Sequence, residues 1–226
     1  MADDDVDEIE SRRLCALFYR SKHLGVATFD EFTNSVAVEG LPVSEYEFDE
    51  ILTQVKSIVS PTLFIVHPSM AARKELMDHI TLGLCKEENF YTAKTTKSST
   101  WNTSSAIQII CDHLYVRELW GARPDVGRSR VVSPKENFQR IASVIDLENT
   151  WLKQALGALL SYLKTSFFSS DDNFISISSI QPLVLQNYLR IDMESLQALN
   201  IFKVRTQQAL TCQHLNLTLI PFHPNF

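Results

Sequence analysis

The sequence predicts an α/β fold, with helices on a mixed β-sheet over residues 11–131 and an all-α segment from residue 132. Three features predict it. Residues 12–40 hold three short runs rich in β-branched and aromatic residues, "RRLCALFYR" (12–20), "HLGVATFD" (23–30) and "TNSVAVEG" (33–40), the pattern of an antiparallel meander. Strand-like and helix-like segments then alternate, as in a layered α/β sheet. Beyond residue 132 the apolar residues recur mainly at the helical period.

Ser44 and Glu47 form a capping-box pair ahead of a first helix whose Phe48, Ile51, Leu52, Val55 and Ile58 share one face. "PTLFIV" (61–66) reads as a strand opened by proline and buried on both faces. A second helix is expected over 69–84, burying Leu76, Met77, Ile80 and Leu84. Residues 86–105 are polar without periodicity and read as a loop, "AIQII" (106–110) as another buried strand, and "DHLYVRELWGAR" (112–123) as weakly helical.

After the linker-like "PDVGRSR" (124–130), Ser133, Pro134 and Glu136 supply an N-cap, a first-turn proline and an N3 acid, so a helix starts there, with Phe138, Ile141, Ala142 and Ile145 as its apolar face. In "NTWLKQALGALLSYLK" (149–164), Leu152, Ala155, Leu156, Leu159, Leu160 and Leu163 form a row at helical spacing. Gly157, Ala158 and Ser161 make another face, small enough for a neighbouring helix to come close.

The 226 residues carry a net charge of −6, and six of the acids fall in "MADDDVDEIE", an acidic tail (1–10) expected to be solvated and disordered. The rest carries 21 acids against 21 bases, which excludes the basic footprint of an autonomous nucleic-acid binder. The first residues lack the basic and apolar regions of a secretory signal. No run approaches the roughly 18 apolar residues of a membrane span. Cys15, Cys85, Cys111 and Cys212 are scattered without a C-x-x-C, the usage of a reduced, intracellular protein. The sequons at Asn102 and Asn216 are then fortuitous.

The element order is the one used by ribonuclease-H-like domains, and two stretches carry the resemblance further. "LGVATFDEFTNSVAVEG" through "ILTQVKSIVSPTLFIV" (24–66) is similar to the connector domain of the MutS family of DNA mismatch repair proteins, which is ribonuclease-H-like. "LKQALGALLSYLK" (152–164) and "ISSIQPLVLQNYLRIDMESLQALNIF" (177–202) resemble the opening of the MutS core, or lever, domain. The matching residues are Ala155, Gly157, Ala158, Leu159, Leu160, Tyr162, Leu163, Asp192, Ser195, Leu199, Ile201 and Phe202.

The two matches keep the family's order and spacing, and they look most like its meiotic branch. The resemblance implies a nuclear protein that pairs with a fourth-homologue-type subunit as a heterodimeric clamp on DNA recombination intermediates and promotes crossovers. It implies ATP and Mg in full-length members, through an ATPase beyond this chain's end. The first strand begins near residue 12, which leaves no room before it for the mismatch-reading domain of the repair branch.

Several constellations invite chemistry and are read as structural. The family's mismatch wedge is Phe-x-Glu, and Phe29-Asp30-Glu31 and Phe48-Asp49-Glu50 match it by chance, at a strand end and on a helix. A phosphate-binding loop needs G-x-x-x-x-G-K-[ST]. None of the six glycines has that setting, and "AKTTKSST" (93–100) has lysines and hydroxyls without glycine.

A ribonuclease-H-like nuclease needs several carboxylates around two metals, one of them central in the first strand, where "LCALFYR" has none. Asp30 and Asp112 sit at expected strand ends. Cys111-Asp112-His113 would point to alternate faces of a strand, with no further ligand near in sequence. Arg117, Arg123, Arg128, Arg130 and Lys135 form a local basic stretch, read as a solvated linker.

The expected function is therefore a non-catalytic relay and scaffold with no catalytic, cofactor-binding or metal residue assigned. Residues 132–203 are expected to begin the core domain. Residues 204–226 leave the family pattern, and because Val204-Arg205 can be encoded as a splice-donor sequence they are expected to be translated intron. The rival is a self-contained ribonuclease-H-like nuclease or protein-interaction module. Trp151, Tyr162 and the leucine row leave little polar surface on 151–164, so this helix is expected to pack inside a larger helical domain.

Overall fold

In the computed structural model the described residues are 12–83, 91–120, 133–167 and 174–185. Residues up to Leu183 belong to one compact unit, and Val184 begins a second of which only two residues are described.

The meander is as expected: β1 (Arg13–Arg20), β2 (His23–Asp30) and β3 (Ser35–Pro42) pair antiparallel in sequence order. Ser21 and Lys22 make the β1–β2 turn, both left-handed, with φ of 53° and 60°. Two such residues match the twist of a hairpin, although Asn and Gly usually supply them.

Helix α1 (Phe48–Val59) crosses to β4 (Leu63–Val66), which pairs parallel with β1. Two short helices, α2 (Pro68–Ala71) and α3 (Lys74–Thr81), precede β5 (Thr92–Thr95), parallel to β4. A 3-10 turn at Ser98–Trp101 feeds α4 (Thr103–His113), then β6 (Leu114–Val116) and α5 (Arg117–Trp120). Helices α6 (Pro134–Ala142) and α7 (Thr150–Ser166) lead to β7 (Ile175–Ile177) and β8 (Ser179–Pro182). The six-stranded mixed sheet runs β5-β4-β1-β2-β3-β8, with β8 parallel to β3, and β6 and β7 form a separate parallel pair.

Both faces of the sheet are covered, which is why β1 and β2 each bury six consecutive residues instead of alternating. One face sends Leu14, Ala16, Phe18, Ala27 and Phe29 into a core shared with Leu152, Leu156, Leu159, Leu160 and Leu163 of α7. On the other face the Tyr19 ring meets Phe48 of α1 at 4.7 Å. Each leucine buried in this way contributes about 1.5–3 kcal/mol over leaving it exposed, so the α7 row is a main source of stability.

Several expectations are corrected. "AIQII" lies within α4 and is not a strand: Asn102 caps that helix, its Oδ1 accepting the Ser104 N–H at 3.0 Å, and Ala106, Ile109 and Ile110 form its buried face. The span 86–105 is not a plain loop, since it holds β5, the 3-10 turn and the start of α4. The helix expected over 69–84 is divided between α2 and α3 near Arg73; Leu76 and Ile80 are buried as expected, Met77 is only half-buried, and Leu84 lies outside the described residues.

Ser133 Oγ accepts the Glu136 N–H at 3.2 Å, the cap the sequence predicts. Ala142, however, is exposed, and Asn137 takes the buried place on α6. The α7 row does not await a larger helical domain: it is spent on this sheet, and one core spans both sides of the expected 131/132 boundary. The acidic tail 1–10, the linker 124–130, Asp192, Ser195, Leu199, Ile201, Phe202 and residues 204–226 lie outside the described residues.

Candidate functional site

The residues singled out for chemistry come apart in the fold. Phe29 and Phe48 are 4% and 2% exposed, so neither can be presented as a wedge. Asp30 closes the β2–β3 connection, its Oδ1 accepting the N–H of Phe32 at 2.9 Å and of Thr33 at 3.2 Å, and it pairs with Arg13 at 3.5 Å. Glu31 accepts the Arg12 main-chain N–H at 3.2 Å, and Asp49 pairs with His79 at 3.1 Å.

Cys111, Asp112 and His113 stand on the last turn of α4 instead of a strand, and successive helical residues diverge. His113 Nε2 faces Lys164 Nζ of α7 at 3.0 Å. Burial, then the Asp112 charge, raises the Cys111 thiol above its ordinary pKa, the opposite of what a nucleophilic thiolate needs. Cys15, fully buried at the centre of β1, is pushed up by burial as well. Arg117 opens α5 and Lys135 lies in the first turn of α6, while Arg123, Arg128 and Arg130 fall outside the described residues. Among the described residues no group of three or more His, Cys, Asp or Glu side chains is placed to hold a metal ion.

What the fold does bring together is a set of attachments along α7. At its start Asn149 Oδ1 accepts the N–H of Trp151 at 3.0 Å and of Leu152 at 3.2 Å, while its Nδ2 donates to the Gly40 carbonyl of β3 at 2.8 Å. One amide thus caps the helix and ties it to the sheet. Trp151 stacks on His23 at 5.0 Å and on Phe18 at 5.8 Å, and Phe18 stacks on Trp101 at 5.5 Å. A Cβ on Gly25 would strike the Trp151 carbonyl, so glycine is what lets α7 lie on β2 there. Halfway along, a Cβ on Gly157 would strike Ala106, so the small face foreseen for this helix is the seat of α4.

Two polar residues complete the arrangement, and neither carried a signal in the sequence beyond a polar side chain in an apolar helical row. Asn137 of α6, 6% exposed, donates from Nδ2 to the carbonyls of Ile110, Cys111 and Leu114 at 3.0, 3.2 and 2.8 Å and accepts the Trp120 indole N–H at 3.1 Å. It serves the carbonyls that the end of α4 leaves open. Lys56 of α1, 5% exposed, donates to the carbonyls of His79 and Leu82 at 2.6 and 2.7 Å, closing the end of α3. Burial brings its ammonium down to about 8, against the pull of Asp49.

Neither a scan against protein-family models nor a search of curated proteins returns a match for this chain. Among the described residues no helix is long and apolar enough to cross a membrane.

Proposed function

We propose that this chain is the connector-type relay of a MutS-family protein of the meiotic branch, closest to the fifth-homologue type. In this reading it acts in DNA recombination and crossover formation, in the nucleus, beside a fourth-homologue-type subunit. The observation that carries the proposal is the setting of α7. Gly157, the glycine of the family-like "ALGALLSYL", is where α4 closes on the helix, and its leucines are where the sheet closes on it. The meander followed by parallel β4 and β5 also agrees with a ribonuclease-H-like connector.

A relay must pass a displacement at one end to the other without absorbing it. Here α7 is fixed at its start to β3 by Asn149, along its length by buried leucines, and near its end to α4 through Lys164 and His113. A push on either end therefore moves helix and sheet together. ATP and Mg belong, in this reading, to an ATPase domain that such family members carry, and hydrolysis is assigned to no residue of this chain. The centre of β1 is Leu14-Cys15-Ala16-Leu17-Phe18, which lacks the carboxylate a nuclease of this architecture needs and favours the relay.

A second reading, a self-contained protein-interaction module, draws on one part of the same setting: the leucine row of α7, which the family resemblance assigns to the opening of a helical core domain, is covered inside this unit. Co-expression with a MutS subunit of the fourth-homologue type separates the two. The relay reading expects a complex of one to one stoichiometry in analytical ultracentrifugation, and independent sedimentation of the two chains would overturn it. Metal-dependent DNA cleavage that Asp30→Asn abolishes would restore the nuclease.

A further inference from the structure

A groove lies where α7 ends over the sheet. Its floor is a row in register across three strands, Leu14 of β1, Leu63 of β4 and Thr92 of β5, and its walls are Tyr162 and Phe167. It is an open groove of about 370 Å³, room for one or two side chains. Two cations stand over the walls: the Arg12 guanidinium carbon is 5.8 Å from the Phe167 ring centre, and Lys94 Nζ is 5.0 Å from that of Tyr162.

Among the described residues neither cation has a carboxylate partner. Asp30 pairs with Arg13, and Glu31 accepts from the Arg12 main chain. Against these two cations stand the Glu31 carboxylate beside the Arg12 main chain and about half a negative charge from the end of α7, so the rim keeps a positive excess, centred on Lys94.

The groove opens at β5, the outermost strand of the sheet on that side among the described residues. Thr96 donates its N–H to the Val66 carbonyl at 3.4 Å. By alternation the main chain of Thr92 and Lys94 also faces β4, while Ala93 and Thr95 turn their N–H and C=O groups away from it. Thr92, Lys94 and Thr95 are exposed. An open edge of this kind is a template for one more strand.

We propose that β5 and the groove together bind an extended acidic peptide of a partner protein, added as a strand beside β5. An apolar side chain enters the groove against Tyr162 and Phe167, and a carboxylate two residues away, on the same face of the added strand, meets Lys94. Arg12 raises the potential at the inner end. The proposal goes beyond the family reading and stands whether or not that reading holds, since it needs only the edge, the groove and the two cations.

The test uses the full chain and a fluorescent peptide of repeated Leu-Thr-Glu-Thr, whose one face carries leucine and glutamate, against its Leu-Thr-Lys-Thr counterpart. In fluorescence anisotropy at low salt the glutamate peptide is expected to bind about ten-fold more tightly or better. Lys94→Glu is expected to reverse the preference. Ala93→Pro, which removes an outward N–H from an edge position that tolerates proline, is expected to weaken binding about ten-fold with the circular dichroism unchanged.

No binding, equal binding of the two peptides, or indifference to Lys94→Glu overturns the proposal. Loss in Lys94→Glu with full affinity in Ala93→Pro also overturns it, because the groove would then be a site for small carboxylates and not for an added strand.

Discussion

Lys56 occupies a place where the α1 periodicity calls for an apolar residue, and its charge is tolerated because two carbonyls at the end of α3 receive it. Its folded pKa, lowered by burial to about 8 from 10.5, means that the fold favours the neutral amine. Below pH 8 the ammonium is present both folded and unfolded, and the fold carries the full burial penalty; as pH rises from about 8 towards 10.5 the folded group has lost its proton and the unfolded one has not, so stability rises. Urea unfolding across this window is expected to show that rise in the wild type and its absence in Lys56→Met. A parallel pH profile in the two proteins would contradict it.

Asn137 works through hydrogen bonds alone. Asn137→Ala strands the Ile110 and Leu114 carbonyls and the Trp120 N–H, at a cost of about 1–3 kcal/mol for each buried group that water does not reach. A drop of about 2–4 kcal/mol in unfolding free energy is expected, and a change below about 0.5 kcal/mol would show the network to be dispensable. Neither residue was legible in the sequence as a buried cap, because a lone lysine or asparagine in a helix is ordinarily a solvated one.

At the scale of elements, legibility followed periodicity. The faces of α1 and α7 were readable because their apolar residues repeat at the helical period, and β1, β2 and β3 because short apolar runs are set apart by two or so polar residues. β5 was not, since "TAKT" is the outermost strand among the described residues and its exposed side chains are polar. α4 was misread because Ala-Ile-Gln-Ile-Ile is short and β-branched, and what makes it a helix is the Asn102 cap and the Gly157 seat on α7, both outside the run. Of the candidate sites, Asp30, Asp112 and Cys111 read as structural for want of further ligands near in sequence, although Cys111 and Asp112 stand on α4 and not at a strand end, whereas the groove at β5 joins residues from four elements and has no local signature.

The β1–β2 turn yields its own prediction. Ser21 and Lys22 hold left-handed backbone without glycine or asparagine, a conformation that costs an ordinary residue about 1–2 kcal/mol. Lys22→Gly is therefore expected to raise unfolding free energy by about 1 kcal/mol, measured by urea denaturation, with the Arg20–His23 pairing retained. A loss of stability would mean that the Lys22 side chain supports the turn.

At the scale of the molecule, α7 decides what the chain can do. A helix that closed its own helical domain would make residues 11–131 and 132–203 separate bodies able to hinge. The Asn149 tie, the Gly25 and Gly157 contacts and the shared core make α7 part of the sheet's unit, and a relay built this way moves as a whole. Local opening would betray any other arrangement, because separate units exchange their amide hydrogens with separate free energies. Native-state hydrogen exchange of the Leu156–Leu160 amides of α7 against the Ala16–Phe18 amides of β1 is the direct measurement. The relay account predicts the same opening free energy for both sets, within about 0.5 kcal/mol, under conditions where exchange follows global unfolding. Exchange of α7 well ahead of β1, by about 100-fold or about 2.7 kcal/mol, would mean that the helix detaches while the sheet stays folded, and would contradict it.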